Sequence, residues 1–90
     1  MYTKKTVINN KTGLHARPAS EFVNCANQFE SAIEIRKLSD NKSANGKSIV
    51  KLLLLAIGCG EEVELSAEGA DESLAVDTLI DLLDSGFGEA

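Results

Sequence analysis

The chain is poor in the residues from which metal centres and disulfide frameworks are built. It has one histidine and two cysteines in 90 residues. Cys25 and Cys59 lie too far apart for a CxxC motif, and a single histidine adds little to them. A zinc site therefore lacks material and no cofactor is expected; both cysteines are read as small buried hydrophobes. Positive charge is also scarce. Nine Lys and Arg stand against 14 Asp and Glu, a formal net charge of −5, which argues against non-specific nucleic-acid binding. No apolar run approaches the ~20 residues that span a bilayer. The first residues, Met1-Tyr2-Thr3-Lys4-Lys5, lack the apolar stretch of a signal peptide. No nucleic-acid partner and no membrane insertion are expected, and the expected location is cytoplasmic.

What is present is ordinary in bulk and specific in one place. The length suits one domain, residues 1–90, with a small core. Hydrophobic content of 43% and charged content of 26% fit a soluble globular chain. Residues 2–8 are rich in Thr, Val and Ile and predict a strand. Residues 16–29 predict a helix, with Ala19, Phe22, Val23, Ala26 and Phe29 in one apolar stripe. Pro18 is tolerated there because a first-turn N–H makes no helical bond. Residues 32–37 alternate, with Ile33 and Ile35 on one face and Glu34 and Arg36 on the other. A turn is expected near Ser39-Asp40-Asn41, with a short hairpin partner at 42–46.

Ser48 begins a second helix that should run to about Ile57 and stop at Gly58 and Gly60 in a glycine C-cap. Residues 49–57 are apolar except Lys51, so part of this helix should be exposed and available to partners. Residues 61–68 are the clearest strand: Val63, Leu65 and Ala67 point one way, Glu62, Glu64, Ser66 and Glu68 the other. Asp71 is the expected N-cap of a last helix whose stripe is Ala75, Thr78, Leu79, Leu82 and Leu83. Residues 86–90 read as a frayed tail. The order βαββαβα predicts an α+β open-faced two-layer sandwich, with three helices on one face of a four-stranded antiparallel sheet.

The specific place is Thr12-Gly13-Leu14-His15-Ala16-Arg17-Pro18. The only histidine sits between a glycine turn and a helix start, where free N–H groups and the dipole favour anions. A neutral imidazole there is nucleophilic, the positive helix end and Arg17 both favour the neutral ring, and a guanidinium can pair with phosphate oxygens. On these residues alone, a bland alternative stays open: His15 only caps the helix and Arg17 is a solvated charge. Gly46-Lys47-Ser48 is not the end of a P-loop, because Asn41 stands where the motif needs glycine.

Gly13-Leu14-His15-Ala16-Arg17-Pro18-Ala19 resembles the active-site signature of HPr, the histidine-containing phosphocarrier family of the bacterial sugar phosphotransferase system. Asn45-Gly46-Lys47-Ser48-Ile49 resembles that family's second signature, and Gly69-Ala70-Asp71-Glu72 also matches. The resemblance covers essentially the whole chain. It implies that His15 is phosphorylated through Nδ1 by phosphorylated enzyme I, that Arg17 stabilises the phosphoryl group, and that acceptors are sugar-specific A components of the phosphotransferase system. It implies that Ser48 is the serine phosphorylated by HPr kinase/phosphorylase, and that Ile49, Val50 and Leu53 form an apolar docking patch ringed by Arg17, Lys47 and Lys51. A monomeric, stoichiometric carrier is expected rather than a complete enzyme. Two departures stand out: Lys51 replaces a residue that is small in many members, and the 38–45 segment is longer than usual. The alternatives are an HPr-like regulator in gene control or a nitrogen-linked relay, or a non-phosphorylated interaction module.

Overall fold

In the computed structural model, which describes residues 1–88, the chain builds one four-stranded antiparallel sheet. The elements are β1 (Tyr2–Val7), α1 (Ala16–Ala26), β2 (Ala32–Lys37), β3 (Lys42–Asn45), α2 (Ile49–Leu54), β4 (Glu62–Glu68) and α3 (Glu72–Asp84), then a short 3-10 turn at Gly86–Gly88. The sheet order is β1-β4-β2-β3, so the last strand in sequence inserts between the first two. Ile35 pairs with Leu65 and Ile33 with Ala67. Their side chains turn inward with Val63 and meet Phe22 of α1, Leu52 of α2 and Leu79 of α3 in one buried cluster. Glu34 and Arg36 lie on the other face, where Arg36 pairs with Glu64 across the strands. The helices thus cover one face and leave the other wet, as the alternation predicts.

The helix ends depart from expectation, and tertiary contacts explain why. Helix α1 stops at Ala26, not 29. Asn27 caps it, its side-chain amide donating to the Val23 carbonyl at 3.0 Å, and the next N–H groups make tighter turns. Phe29 still packs against the core, from a turn. Helix α2 stops at Leu54, and no glycine caps it: Leu55 is the C-cap, and Ala56 takes the left-handed step at φ 52°. Gly58 and Gly60 instead shape the loop into β4. The short helix lets Leu55 and Ile57 drop into the core from the following segment.

Asp71 precedes α3 but makes no cap bond. Its carboxylate accepts from the Glu30 and Ser31 N–H groups, at 2.9 and 3.0 Å, and from the Ser31 hydroxyl. It therefore ties the α1–β2 connection to the start of α3. The buried stripe of α3 is Ala75, Val76, Leu79, Ile80 and Leu83; Thr78 and Leu82 are half-buried. A helix that spans β1 and β4 needs a stripe shifted and widened in this way.

Cys25 is half-buried against the core, where burial pushes its thiol pKa up, but Cys59 is exposed. Cys59 stands between two glycines in a surface loop with no apolar layer over it, so only Cys25 approaches the expected role. The tail is more ordered than expected as far as it is described: Gly86 is buried and Phe87 packs on the core. The remaining expectation for that tail, at 89–90, lies outside the described residues.

Candidate functional site

The loop between β1 and α1 is fixed from below. Ile8 leads into it, fully buried, and exchanges backbone bonds with the loop before β4: its N–H donates to Glu61 at 2.9 Å and its carbonyl accepts from Gly60 at 2.7 Å. Asn10 is 2% exposed, and its amide donates to the Gly13 carbonyl at 2.8 Å and to the Thr12 hydroxyl at 3.3 Å. The Gly13 N–H returns to the Asn10 carbonyl at 3.2 Å, closing a turn. Gly13 is required here twice over. Its φ is 68°, and a Cβ would lie 2.5 Å from the Ile57 carbonyl oxygen and 2.7 Å from the Gly58 Cα. Leu14 is buried, and its N–H donates to that same Ile57 carbonyl at 2.9 Å.

His15 comes next and is exposed. Its backbone is extended, with φ −128° and ψ 160°, as suits the residue before a helix, but its ring makes no cap bond. That removes half of the bland alternative: the imidazole does not cap α1, and among the described residues neither ring nitrogen is hydrogen-bonded. Ala16 has φ 50°, a left-handed value that costs an L-residue roughly 1–2 kcal/mol. The strain is held between buried Leu14 and buried Pro18. No acidic side chain occupies the first turn of α1, so nothing local competes for an incoming anion. Arg17 is exposed and, among the described residues, has no ion-pair partner.

The second signature is also built as its residues suggest. Ser48 is the N-cap of α2, with its Oγ accepting from the Lys51 N–H at 3.3 Å. Leu52 is buried and Ile49 half-buried against the core, whereas Val50 and Leu53 are exposed at 63% and 41%. Leu54, at 73% exposed, belongs with them. The sequence reading missed it, although Val50, Leu53 and Leu54 already show the 3- and 4-residue spacing of one helix face. Lys51 is exposed beside these residues. Lys47 differs: its ammonium donates to the Phe29 carbonyl at 2.6 Å, tying the start of α2 to the turn that follows α1. Its charge is partly committed to the scaffold, unlike those of Arg17 and Lys51.

Among the described residues, no group of three His, Cys, Asp or Glu could hold a metal ion, and no helix is long and apolar enough to cross a membrane. The arrangement can offer a nucleophilic ring nitrogen, a free guanidinium, and an apolar surface beside a capped helix start.

Comparison with known proteins places these features in context. Residues 2–85 match the family described as "PTS HPr component phosphorylation site". The chain is 42% identical over 89 residues to the phosphocarrier protein HPr of Neisseria meningitidis, covering 99% of this chain and 98% of that one. It is 49% identical over 80 residues to the HPr-like protein Crh of Halalkalibacterium halodurans, covering 89% and 93% respectively. The crystal structure of HPr-C-His from Thermoanaerobacter tengcongensis superposes with a TM-score of 0.95 at 49% identity, over 100% of this chain and 99% of that one.

Proposed function

The chain belongs to the PTS HPr family, and from that premise we propose that it carries a phosphoryl group on His15 between enzyme I and the sugar-specific A components of the phosphotransferase system. One observation carries the reading. The only histidine of the chain is exposed where α1 begins, its ring making no hydrogen bond among the described residues, inside the segment that the family match spans.

In this reading the neutral imidazole attacks the phosphorus of the donor's phosphohistidine. A new N–P bond forms at His15 as the donor's N–P bond breaks, and the donor imidazole leaves neutral. Little covalent chemistry remains for the carrier, so its contribution is position and charge. Arg17 pairs with the phosphoryl oxygens, and the positive end of α1 supports them. The second transfer, to an A component, repeats the step in reverse. The chain works as one domain and as a monomer in the cytoplasm, docking through Val50, Leu53 and Leu54, with the half-buried Ile49 behind them and Lys51 and Arg17 on the rim.

The test is incubation with phosphoenolpyruvate and enzyme I. Wild type should gain one acid-labile phosphate, and His15→Ala should gain none while keeping its circular dichroism spectrum. Acid-labile phosphate on His15→Ala would overturn the reading.

A second reading adds regulation through Ser48, and two observations favour it. Ser48 is half-buried, and the bond its hydroxyl accepts, at 3.3 Å, is long. The chain is also nearly half identical to an HPr-like protein Crh. Phosphorylation by an HPr kinase/phosphorylase would add roughly −1.5 to −2 charges at pH 7 beside the docking surface. Ser48→Asp should weaken association with enzyme I, with the difference shrinking at high salt. Equal binding at low salt would leave Ser48 as a helix cap alone.

A further inference from the structure

The alternation that turns Ile33 and Ile35 inward also turns Lys37 inward, at the end of β2, where an apolar residue would be the simpler choice. Its side chain is 13% exposed. The ammonium donates to the Leu55 carbonyl at 2.8 Å and pairs with Asp40 at 3.2 Å and Glu61 at 3.6 Å. The ammonium thus combines a bond to a carbonyl with two flanking carboxylates, the more distant beyond direct hydrogen-bond reach. Leu55 ends α2, where a cation complements the carbonyls of a helix terminus. Glu61 is held further: its carboxylate accepts from the Ser39 hydroxyl at 3.0 Å and from the Gly58 N–H at 3.4 Å.

These bonds grip one stretch of chain, residues 55–61, from the side of the β2–β3 hairpin. The same stretch, on its other side, is the shelf under the His15 loop. Ile57 accepts from Leu14, Glu61 accepts from Ile8, and Gly13 packs against Ile57 and Gly58. The stretch also contains Ala56 in its left-handed conformation, which persists only where neighbours enforce it. Neither Lys37 nor Asp40 belongs to the two signatures, and Asp40 lies in the hairpin segment that is longer than usual.

We propose that Lys37 is a positioning residue for His15: by clamping residues 55–61 through the Leu55 carbonyl and the Glu61 carboxylate, it fixes the shelf from which the imidazole is presented. The inference rests on the reading of His15 as the phosphoryl carrier. Lys37 touches neither the ring nor any reacting atom. It acts through the Leu55 carbonyl, along the chain to Ile57, and across the backbone bond from Leu14 to Ile57. The reaction depends on geometry, so a loosened shelf lowers the rate of transfer while leaving the docking surface in place.

The test uses the whole chain with Lys37→Met, which keeps the aliphatic stem and removes the donors. Amide exchange at Leu14 should accelerate about five- to tenfold, the size of one ordinary hydrogen bond lost, with β4 amides unchanged. With enzyme I as catalyst and this chain as its substrate, kcat should fall about three- to tenfold while KM stays within about twofold. Exchange that rises equally at Leu14 and in β4 overturns the proposal, because Lys37 then serves only global stability. An unaltered Leu14 amide overturns it as well. If Lys37→Met does not fold, Glu61→Gln decides: a smaller change localised at Leu14 supports the clamp, and none overturns it. A wild-type chain that accepts no phosphate overturns the carrier reading, while Leu14 exchange in the same proteins still decides the clamp.

Discussion

At Gly13 a single methyl group would meet two obstacles, a left-handed backbone and the Ile57 carbonyl 2.5 Å away. Gly13→Ala should therefore destabilise the fold by about 2–4 kcal/mol in urea denaturation, well beyond the effect of an ordinary surface change. Asp71 is a different kind of residue-scale device. Its carboxyl lies below the ordinary carboxylate pKa because of the Ser31 hydroxyl first, then the Glu30 N–H and the Ser31 N–H, with partial burial opposing them. A folded pKa below the unfolded value of about 3.9 means that unfolding takes up a proton in acid. The stabilisation is thus complete above the unfolded pKa and is lost as pH falls through the folded one. Asp71→Asn should flatten the loss of stability as pH falls below about 5, measured by thermal melts from neutral pH into acid. An equally steep acid limb in the variant would refute the assignment. The places of His15, Arg17 and Ser48 at helix starts were legible in the sequence because each belongs to a short motif with a local geometry. The partners of Asp71 and Lys47 were not, because Ser31 lies 40 residues from Asp71 and Phe29 lies 18 from Lys47. No window along the chain brings such pairs together.

Elements were readable in type and approximate in extent. Every strand and helix lies where composition, periodicity and turn signals put it, and the errors gather at helix ends. Local rules assigned the end of α2 to Gly58 and Gly60, but the core draws in Leu55 and Ile57 first, and Ala56 takes the turn that a glycine would take more easily. Ala56→Gly should therefore stabilise the protein by about 0.5–1 kcal/mol, the strain relieved less the added chain entropy. Urea midpoints would show it; a destabilised variant would mean that the Ala56 methyl packs more usefully than its exposure suggests. The exposed face of α2 makes the opposite case. Leu54→Gln should change stability by no more than about 0.5 kcal/mol, yet weaken association with enzyme I in calorimetric titration. Unchanged binding would remove Leu54 from the docking surface.

At the scale of the molecule, the two-layer architecture followed from alternation in β2 and β4, but the strand order did not. Nothing local in Glu62–Glu68 says that it sits between β1 and β2; only the completed register shows it. Strand β1 lies at the sheet edge and is fastened to α3, with the Tyr2 hydroxyl and the Lys4 ammonium both on Asp77, at 3.0 and 2.7 Å. Those two groups hold the Asp77 carboxyl below its ordinary value, Lys4 more than Tyr2.

The central place of β4 also orders events in time. As the chain leaves the ribosome, α1 and the β2–β3 hairpin can form from their own residues, but β1 has no neighbour to bond until residues 62–68 have been made. The pairing of Tyr2 with Ala67 closes a loop over most of the chain, and such long closures come late and slowly. The first strand to be synthesised is therefore kept waiting for the last, and the His15 loop, which hangs from β1 and rests on the segment before β4, takes shape only when that late strand docks. A nascent chain stalled before Glu62 would already carry the histidine and residues 55–61, without the strand that docks them beneath it as a shelf.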